Sequence, residues 1–376
     1  MNKNRVLLSI GSNVGDKKIN IQSALSLIDQ KIGDVVSISK IYQTSTVGFV
    51  GDDFYNCCIA ANTDLSPLDL LNNLIKIEKD GGRLRTKNKI YESRTIDIDI
   101  LFYENQVIKS IELEIPHPRL HQRAFVILPL LDIAKNKVHP ILKTTILDLK
   151  TNLTDLDSIQ QLDIDLKIPV MDFMDSFDNI VIEGNIGVGK TTLSKKLSID
   201  LNKNLILEKF KENPFLEKFY NDPQRFALNL ELTFLIDRCR QLNDFKNQMD
   251  LFKSGVVFDY DIFKSLIFAG VTLTEIDFKL FRDIYYFMTK DLYKPNLVIY
   301  LLQKTEKLLL NINSRGRVYE KDISKDYLDK INNAYLNYLK NRTDLNIVFI
   351  DISDLDFVEN HTDYLELLFR IKRKLR

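Results

Sequence analysis

The chain has 376 residues, of which 45% are hydrophobic and 28% charged, and its 52 lysines and arginines balance 52 aspartates and glutamates. That balance excludes the electrostatic footprint of a nucleic-acid or anionic-membrane binder, and no apolar run approaches the roughly 18–20 residues of a membrane span. The length accommodates two domains with separate cores; Cys57, Cys58 and Cys239 make no disulfide framework and the first residues carry no signal-peptide pattern, so a cytoplasmic protein is expected.

The first half reads as strand (5–11), helix (17–31), strands (34–43 and 54–63), helix (66–79) and strand (95–103). After the second helix, Gly81 and Gly82 open a basic loop with Arg83, Arg85, Lys87, Lys89 and Arg94. It leads into "RTIDIDILFY", whose period of two places Asp97 and Asp99 on one face and Ile96, Ile98 and Ile100 on the other. Carboxylates two residues apart on a strand lie roughly 7 Å from each other. At an effective dielectric near 20 they repel by about 2 kcal/mol. A strand this rich in isoleucine is expected to be central, so a compensating cation is expected beside the pair. Hard carboxylate oxygens suit Mg²⁺, completed by substrate phosphates, and two such ions would neutralise a triphosphate. A second alternation, "LDIDL" with Asp163 and Asp165, lacks the Arg-Thr lead-in and reads as linker or edge strand.

The segments "IGSNVGD", "YQTSTVG", "YNCCIAANT", "GGRLR", "SRTIDIDILFY" and "PHPRLHQRAFVILPL" resemble the 6-hydroxymethyl-7,8-dihydropterin pyrophosphokinase family over roughly residues 3–163. The resemblance implies a ferredoxin-like α+β fold and pyrophosphoryl transfer from ATP to a pterin alcohol, releasing AMP. It further implies that Asp97 and Asp99 hold two Mg²⁺ and that Arg83 and Arg94 act on the phosphates. Glu78, Arg85, His117 and Arg123 would line the ATP site. Thr44, Val47, Gly48, Phe54, Asn56 and Phe125 would receive the pterin, an aromatic pair sandwiching the flat ring. Where that family often has Trp-Gly-Pro, this chain has Tyr91-Glu92-Ser93. His121, His139 and His361 show no metal-ligand spacing.

After an expected linker (164–177), "NIVIEG" reads as a strand and "KTTLSKKLSIDL" as a helix, joined by Gly-x-x-x-x-Gly-Lys-Thr. Gly184 and Gly189 let backbone N–H groups of the loop point at phosphates; Lys190 reaches the terminal phosphates and Thr191 suits Mg²⁺. Asn185, Ile186, Gly187, Val188 and Thr192 complete the ATP-cradling stretch. Strand-like runs then alternate with long helical ones, which is the pattern of a doubly wound parallel sheet in an α/β P-loop kinase. A guanine-reading Asn-Lys-x-Asp after a strand, the mark of a GTPase, is absent from the sequence.

"EGNIGVGKTT", a strand ending at Glu208, "NPFLEKFYNDPQRFALNLELTFLIDR" and "SRGRVYE" resemble the deoxynucleoside kinase family over roughly residues 178–376. The resemblance implies Glu208 as the base near the sugar 5′-hydroxyl, Tyr220 and Glu320 on the 3′-hydroxyl, and Arg315 and Arg317 in a lid over the ATP phosphates. It also implies a homodimer packed through helices. Two departures stand out. Glu231 occupies the place of the usual base-reading Gln, and Asp259-Tyr260 replaces an acidic-Arg pair of the nucleoside site, so Lys264 or Arg238 would have to supply the missing cation. An ionised Glu231 suits the guanine edge, and a protonated one matches adenine or cytosine; a purine deoxynucleoside is expected, deoxyadenosine ahead. The chain thus reads as two kinases in tandem. A thymidylate-type monophosphate kinase, or a P-loop module that binds nucleotide without catalysis, stays open for the second half.

Overall fold

A computed structural model describes residues 3–46, 51–82, 93–153, 159–247, 255–317, 320 and 323–375. The chain divides into two units, Met1–Asp172 and Phe173–Arg376.

The first unit is built on an antiparallel sheet. β1 (Asn4–Ser12) lies between β4 (Phe54–Thr63) and β5 (Asp97–Tyr103). The expected single strand at 34–43 is two, β2 (Gly33–Ile38) and β3 (Ile41–Thr44), both paired with β4. The break falls at Ser39, whose hydroxyl accepts the Cys58 N–H and so leaves the ladder pattern. A ribbon of β6 (Ile108–Lys109) and β7 (Glu114–Ile115) follows β5, and β8 (Ile159–Leu162) pairs with β3. The acidic alternation of Asp163 and Asp165 therefore lies just past an edge strand.

Alternation divides this sheet's side chains between two cores. Val6, Leu8, Ile10, Cys57, Ile59, Ile98 and Ile100 pack under α1 (Lys17–Lys31) and α2 (Pro67–Asp80). Leu7, Cys58, Ala60, Leu101 and Phe102 pack under α3 (Ala124–Ala134) and α4 (Ile146–Leu149). Leu101 and Phe102 share a face because β5 carries a bulge: Leu7 pairs with Phe102, but Leu8 pairs with Ile100. β5 is also not central. Among the described residues it ends the sheet order β5-β1-β4-β3-β8. Its isoleucines are buried by the helical layer above them rather than by a strand on each side. Glu78 of α2 supports that open edge, accepting the Ile98 N–H at 2.9 Å.

The stretch expected as linker contains α5 (Pro169–Asp175), in which Val170 and Met174 are fully buried.

The second unit is a parallel sheet in the order β10-β11-β9-β12-β13. Its strands are β9 (Asn179–Gly184), β10 (Asn204–Ile206), β11 (Val256–Phe258), β12 (Leu297–Leu302) and β13 (Ile347–Asp351). The first strand in sequence is central, which brings its C-terminal end, and the loop into α6 (Lys190–Asp200), to the middle of the sheet. α7 (Leu216–Asn221) and the long α8 (Pro223–Asn247) come between β10 and β11. α9 (Phe263–Thr272) and α10 (Glu275–Thr289) come before β12. α11 (Thr305–Arg315) and α12 (Lys325–Lys340) separate β12 from β13, and α13 (His361–Leu375) closes the unit. Residues of α8, α9, α10 and α12 bury one sheet face through Val181, Val256, Phe258, Val298 and Tyr300. The basic residues at the end of the chain complete the last turn of α13, where they oppose the helix dipole.

Two candidate active sites

In the first unit the paired aspartates face away from the isoleucines, as the alternation requires, and the expected cations are beside them. Arg94 Nη1 lies 3.1 Å from Asp97, and Arg123 Nη1 lies 3.5 Å from Asp99. His117 Nε2 approaches Asp99 at 3.9 Å. Desolvation, then the neighbouring Asp97, raise the Asp99 carboxyl above its usual value, although His117, Arg123 and Arg94 oppose this. Desolvation lowers His117 against the pull of Asp99, which favours the neutral imidazole. Arg94 Nε is buried without a hydrogen-bond partner. A buried donor of this kind beside two carboxylates suits a phosphate oxygen bridged by a cation. Among the described residues no cluster of three or more His, Cys, Asp or Glu could hold a metal alone. The donor set therefore fits Mg²⁺ held by Asp97 and Asp99 and completed by substrate phosphates, where the ion would supply charge neutralisation.

Next to the carboxylates lie residues expected to receive the pterin. Asn56 is buried and donates to Thr44 Oγ1 at 2.9 Å. Gly11 opposes Asn56 across the ladder, and a Cβ there would come 3.1 Å from Asn56 Oδ1. Arg94 lies over the Phe54 ring at 5.5 Å, and Arg123 over Phe125 at 5.4 Å. Val47, Gly48, Arg83 and Arg85 lie outside the described residues, as do Lys87, Lys89, Tyr91 and Glu92. Glu78, named for the ATP site, is 2% exposed and one of its oxygens braces β5. Sequence reasoning missed Asn13. This buried residue accepts the Arg94 N–H at 2.7 Å and donates to Asp52 O and Ser93 Oγ, each at 3.1 Å. It fixes the approach to β5 on which Arg94 sits; the signal was an Asn directly after a strand, a common loop residue.

In the second unit the glycines of the phosphate loop are required by geometry. Gly187 and Gly189 have φ of +80° and +97°, and a Cβ on Gly187 would meet Ile312 Cγ1 and Leu308 O at 2.9 Å. Asn185 anchors the loop to α12 through Leu328 O at 2.8 Å, and Val188 is buried beneath it. Ile186 and Thr192 are half-buried. Lys190 Nζ donates to Gly184 O and Asn185 O at 2.8 and 2.9 Å. Desolvation, then the Lys264 ammonium, bring Lys190 down to about 8. Thr191 Oγ1 donates to Asp259 Oδ2 at 2.6 Å, a pair of hard oxygens that fits a Mg²⁺ site shared with phosphates. Asp259 also accepts the Glu208 N–H at 2.7 Å, so it ties the end of β10 to the loop.

The cleft beyond the loop is lined by Glu208, Tyr220, Glu231, Phe234, Arg238, Asp259, Lys264, Phe268, Arg315, Arg317 and Glu320, with Phe210 and Tyr327. Helical spacing explains its walls. Glu231, Phe234 and Arg238 share one face of α8 at i, i+3 and i+7, while Lys264, Phe268 and Thr272 share one face of α9 at i, i+4 and i+8. At one end Arg238 grips Glu208 Oε1 through Nε (2.9 Å) and Nη2, and Lys264 Nζ donates to Glu208 Oε2 at 2.6 Å. Burial alone would raise Glu208, but Lys264 and Arg238 outweigh it and hold the carboxyl far below its usual value. At the other end Thr272 Oγ1 donates to Glu231 Oε1 at 3.1 Å, while Glu231 Oε2 is buried without a partner. Desolvation lifts Glu231 to about 7.

Tyr260 has turned out of this cleft: it is fully buried and its hydroxyl donates to Gln241 Oε1 at 2.8 Å. Arg315 Nε donates to Glu320 Oε2 at 2.6 Å, and Arg317 Nη1 to Glu320 Oε1 at 3.2 Å. The expected phosphate cations and the expected 3′-hydroxyl acceptor are thus in one cluster, with Arg317 stacked on Phe210 at 4.2 Å. Thr272, Phe268 and Phe210 were not foreseen. Thr272 had no motif to mark it, only its place on the α9 face that carries Lys264.

A parallel sheet with a phosphate loop after its central strand, and an antiparallel sheet presenting paired carboxylates among cations, define two phosphoryl-transfer domains in one chain. The deoxynucleoside kinase family model matches residues 180–376, and the 7,8-dihydro-6-hydroxymethylpterin-pyrophosphokinase model matches residues 7–135. Deoxyguanosine kinase of Bacillus subtilis is 36% identical over 197 residues, 51% of this chain and 95% of that protein. Deoxyadenosine/deoxycytidine kinase of the same organism is 30% identical over 202 residues, 51% of this chain and 90% of that protein. The 2-amino-4-hydroxy-6-hydroxymethyldihydropteridine pyrophosphokinase of Porphyromonas gingivalis is 39% identical over 132 residues, 34% of this chain and 90% of that protein. The chain belongs to the deoxynucleoside kinase family through its second unit and to the hydroxymethylpterin pyrophosphokinase family through its first. It is a bifunctional ATP-dependent kinase.

Proposed function

We propose that the first unit transfers the pyrophosphoryl group of Mg²⁺-ATP to 6-hydroxymethyl-7,8-dihydropterin, and that the second phosphorylates the 5′-hydroxyl of a purine deoxynucleoside. For the first, the supporting geometry is the Asp97–Asp99 pair flanked by Arg94, His117 and Arg123, next to Phe54, Asn56 and Thr44. Arg94 and Arg123 take the phosphates, Asp97 and Asp99 hold Mg²⁺, and Asn56 reads the pterin edge. This unit has the ferredoxin-like order of strands and helices; the catalytic domains span 1–163 and 178–376, and the segment between them, which contains α5, connects the two units divided at Asp172.

For the second, the observation that carries the reading is the cleft with an engaged carboxylate at one end and an unsatisfied one at the other. Glu208 orients the 5′-hydroxyl near Lys190 and Thr191, Tyr220 and Glu320 hold the 3′-hydroxyl, and Glu231 Oε2 meets the base edge. A Glu231 that titrates near neutrality serves adenine when protonated and guanine when ionised. Arg315 and Arg317 exchange Glu320 for ATP phosphates. The enzyme works in the cytoplasm as a homodimer; Ile276, Leu280 and Phe287 form an exposed apolar row on α10, 83, 53 and 86% exposed, that a second copy covers. Incubating the full chain with Mg²⁺-ATP and each of the four deoxynucleosides tests the second reading. Monophosphate from deoxyadenosine and deoxyguanosine is expected. No product from any nucleoside, while the pterin alcohol still yields AMP, would leave the second unit a nucleotide-binding module.

A further inference from the structure

Two cations converge on Glu208, and they are not equivalent. Arg238 is 3% exposed and fully engaged: Nε and Nη2 hold Glu208 Oε1, Nη1 donates to Ser265 Oγ at 2.6 Å, and the guanidinium lies 4.9 Å over the Phe234 ring. Lys264 differs. Its one hydrogen bond among the described residues is to Glu208 Oε2, at 2.6 Å, and an ammonium carries three donors. It lies 7% exposed, its Nζ 5.6 Å from the Phe268 ring centre, and it lines the same cleft as Lys190 and Thr191 of the phosphate loop. A buried ammonium with donors to spare, between a hydroxyl-orienting carboxylate and a phosphate loop, is placed for a charge that develops between them.

We infer that Lys264 is a catalytic residue of the nucleoside reaction: the substrate 5′-hydroxyl takes its place on Glu208 Oε2, and the released ammonium donates to the oxygens of the phosphoryl group in transit. In that step the bond from the γ-phosphorus to the β,γ-bridging oxygen breaks and ADP leaves with the electron pair. The bond from the 5′-oxygen to phosphorus forms, and the hydroxyl proton passes to Glu208. Arg238 stays on Oε1 throughout and keeps the carboxylate aimed. With Arg238 still bonded to Oε1, Glu208 is a weak base, and orienting the hydroxyl is its main contribution. Phosphoryl transfer through a loose transition state asks for positioning and charge neutralisation rather than a strong base.

The inference rests on Glu208 being the 5′-hydroxyl acceptor, and two sets of variants separate the premises. Lys264→Gln keeps a neutral N–H donor for Glu208 and removes the charge. It should lower kcat by on the order of 10²–10³ while the KM for deoxynucleoside changes by less than about threefold. Lys264→Arg should recover at least about tenfold of that loss by returning the charge. A Lys264→Gln enzyme within about threefold of wild-type kcat, a loss confined to KM, or Lys264→Arg no better than Lys264→Gln would each overturn the assignment. Should Lys264→Gln fail to fold by circular dichroism, Lys264→Arg decides alone: folded with kcat within about tenfold of wild type supports it, and folded with a deeper loss overturns it. Glu208→Gln tests the premise separately, since an undiminished kcat there would remove Glu208, and Lys264 with it, from the reaction.

Discussion

Glu208 and Glu231 line one cleft, and Arg238 lies on the same helix face as Glu231, yet the two carboxyls shift in opposite directions. The difference is in partners. Lys264 and the fork of Arg238 close on Glu208, whereas Glu231 receives one hydroxyl bond and keeps a buried oxygen unsatisfied. Glu208 and Lys264 face that oxygen's surroundings electrostatically, together with Arg238, and Tyr220 and Tyr327 line the same cleft. A folded value near 7 against an ordinary 4.5 means the folded state binds more protons than the unfolded one between those values. Stability should therefore fall as pH rises through that window. Glu231→Gln removes the effect, so the variant should be more stable than wild type above pH 7, by on the order of 3 kcal/mol at most, and converge with it below pH 4.5. Urea melts across pH check this. In the same variant the ratio of kcat/KM for deoxyadenosine over deoxyguanosine should be flat with pH, whereas in wild type it should drop as pH passes about 7. At this scale the sequence disclosed Glu231 as a departure worth weighing, but not that Thr272 engages one of its oxygens and leaves the other unpartnered, because that follows only from the packing of α9 on α8.

Among elements, those whose side-chain period matches their backbone are legible in the amino-acid order alone. β5 is one: its isoleucines go to the helical layer and Asp97 and Asp99 to the opposite face. Its position at the sheet edge is not legible, because an edge strand covered by helices on both faces shows the same apolar content as a central one. Nor is the bulge that turns Leu101 and Phe102 to one side. The phosphate loop is legible for a stricter reason: its glycines meet conditions few other residues satisfy. A methyl at Gly187 would need φ of +80° and would press on Ile312 and Leu308 O of α11 at 2.9 Å. Gly187→Ala should therefore cost about 1–3 kcal/mol of backbone strain. It should also displace the loop N–H groups, lowering kcat/KM for ATP in the nucleoside reaction at least about tenfold. Thermal denaturation and steady-state kinetics read the two effects; wild-type values in both would show that the loop relaxes around the methyl.

At the scale of the molecule, among the described residues two core clusters draw on the antiparallel unit alone and two on the parallel unit alone. If the apolar row on α10 is the contact between copies, Phe287→Glu should convert a dimer to a monomer in analytical ultracentrifugation and leave the pterin reaction at wild-type rate. Separate cores also mean that the two chemistries should be separable by single substitutions, because sites that share no partners respond additively. Asp97→Asn removes a carboxylate from the first site and should reduce pyrophosphoryl transfer by at least about 10²-fold. Lys190→Met removes the phosphate-loop cation and should reduce nucleoside phosphorylation by a similar factor. Each variant should keep the other activity, and the double variant should lose both, each by the factor of its own single substitution. Measuring AMP release with the pterin alcohol and monophosphate formation with deoxyadenosine on the same preparations gives all the required rates. A loss of nucleoside phosphorylation in Asp97→Asn, in protein that melts at the wild-type temperature, would mean that occupancy of the first site governs the second, and the tandem would then be a coupled enzyme rather than two independent ones.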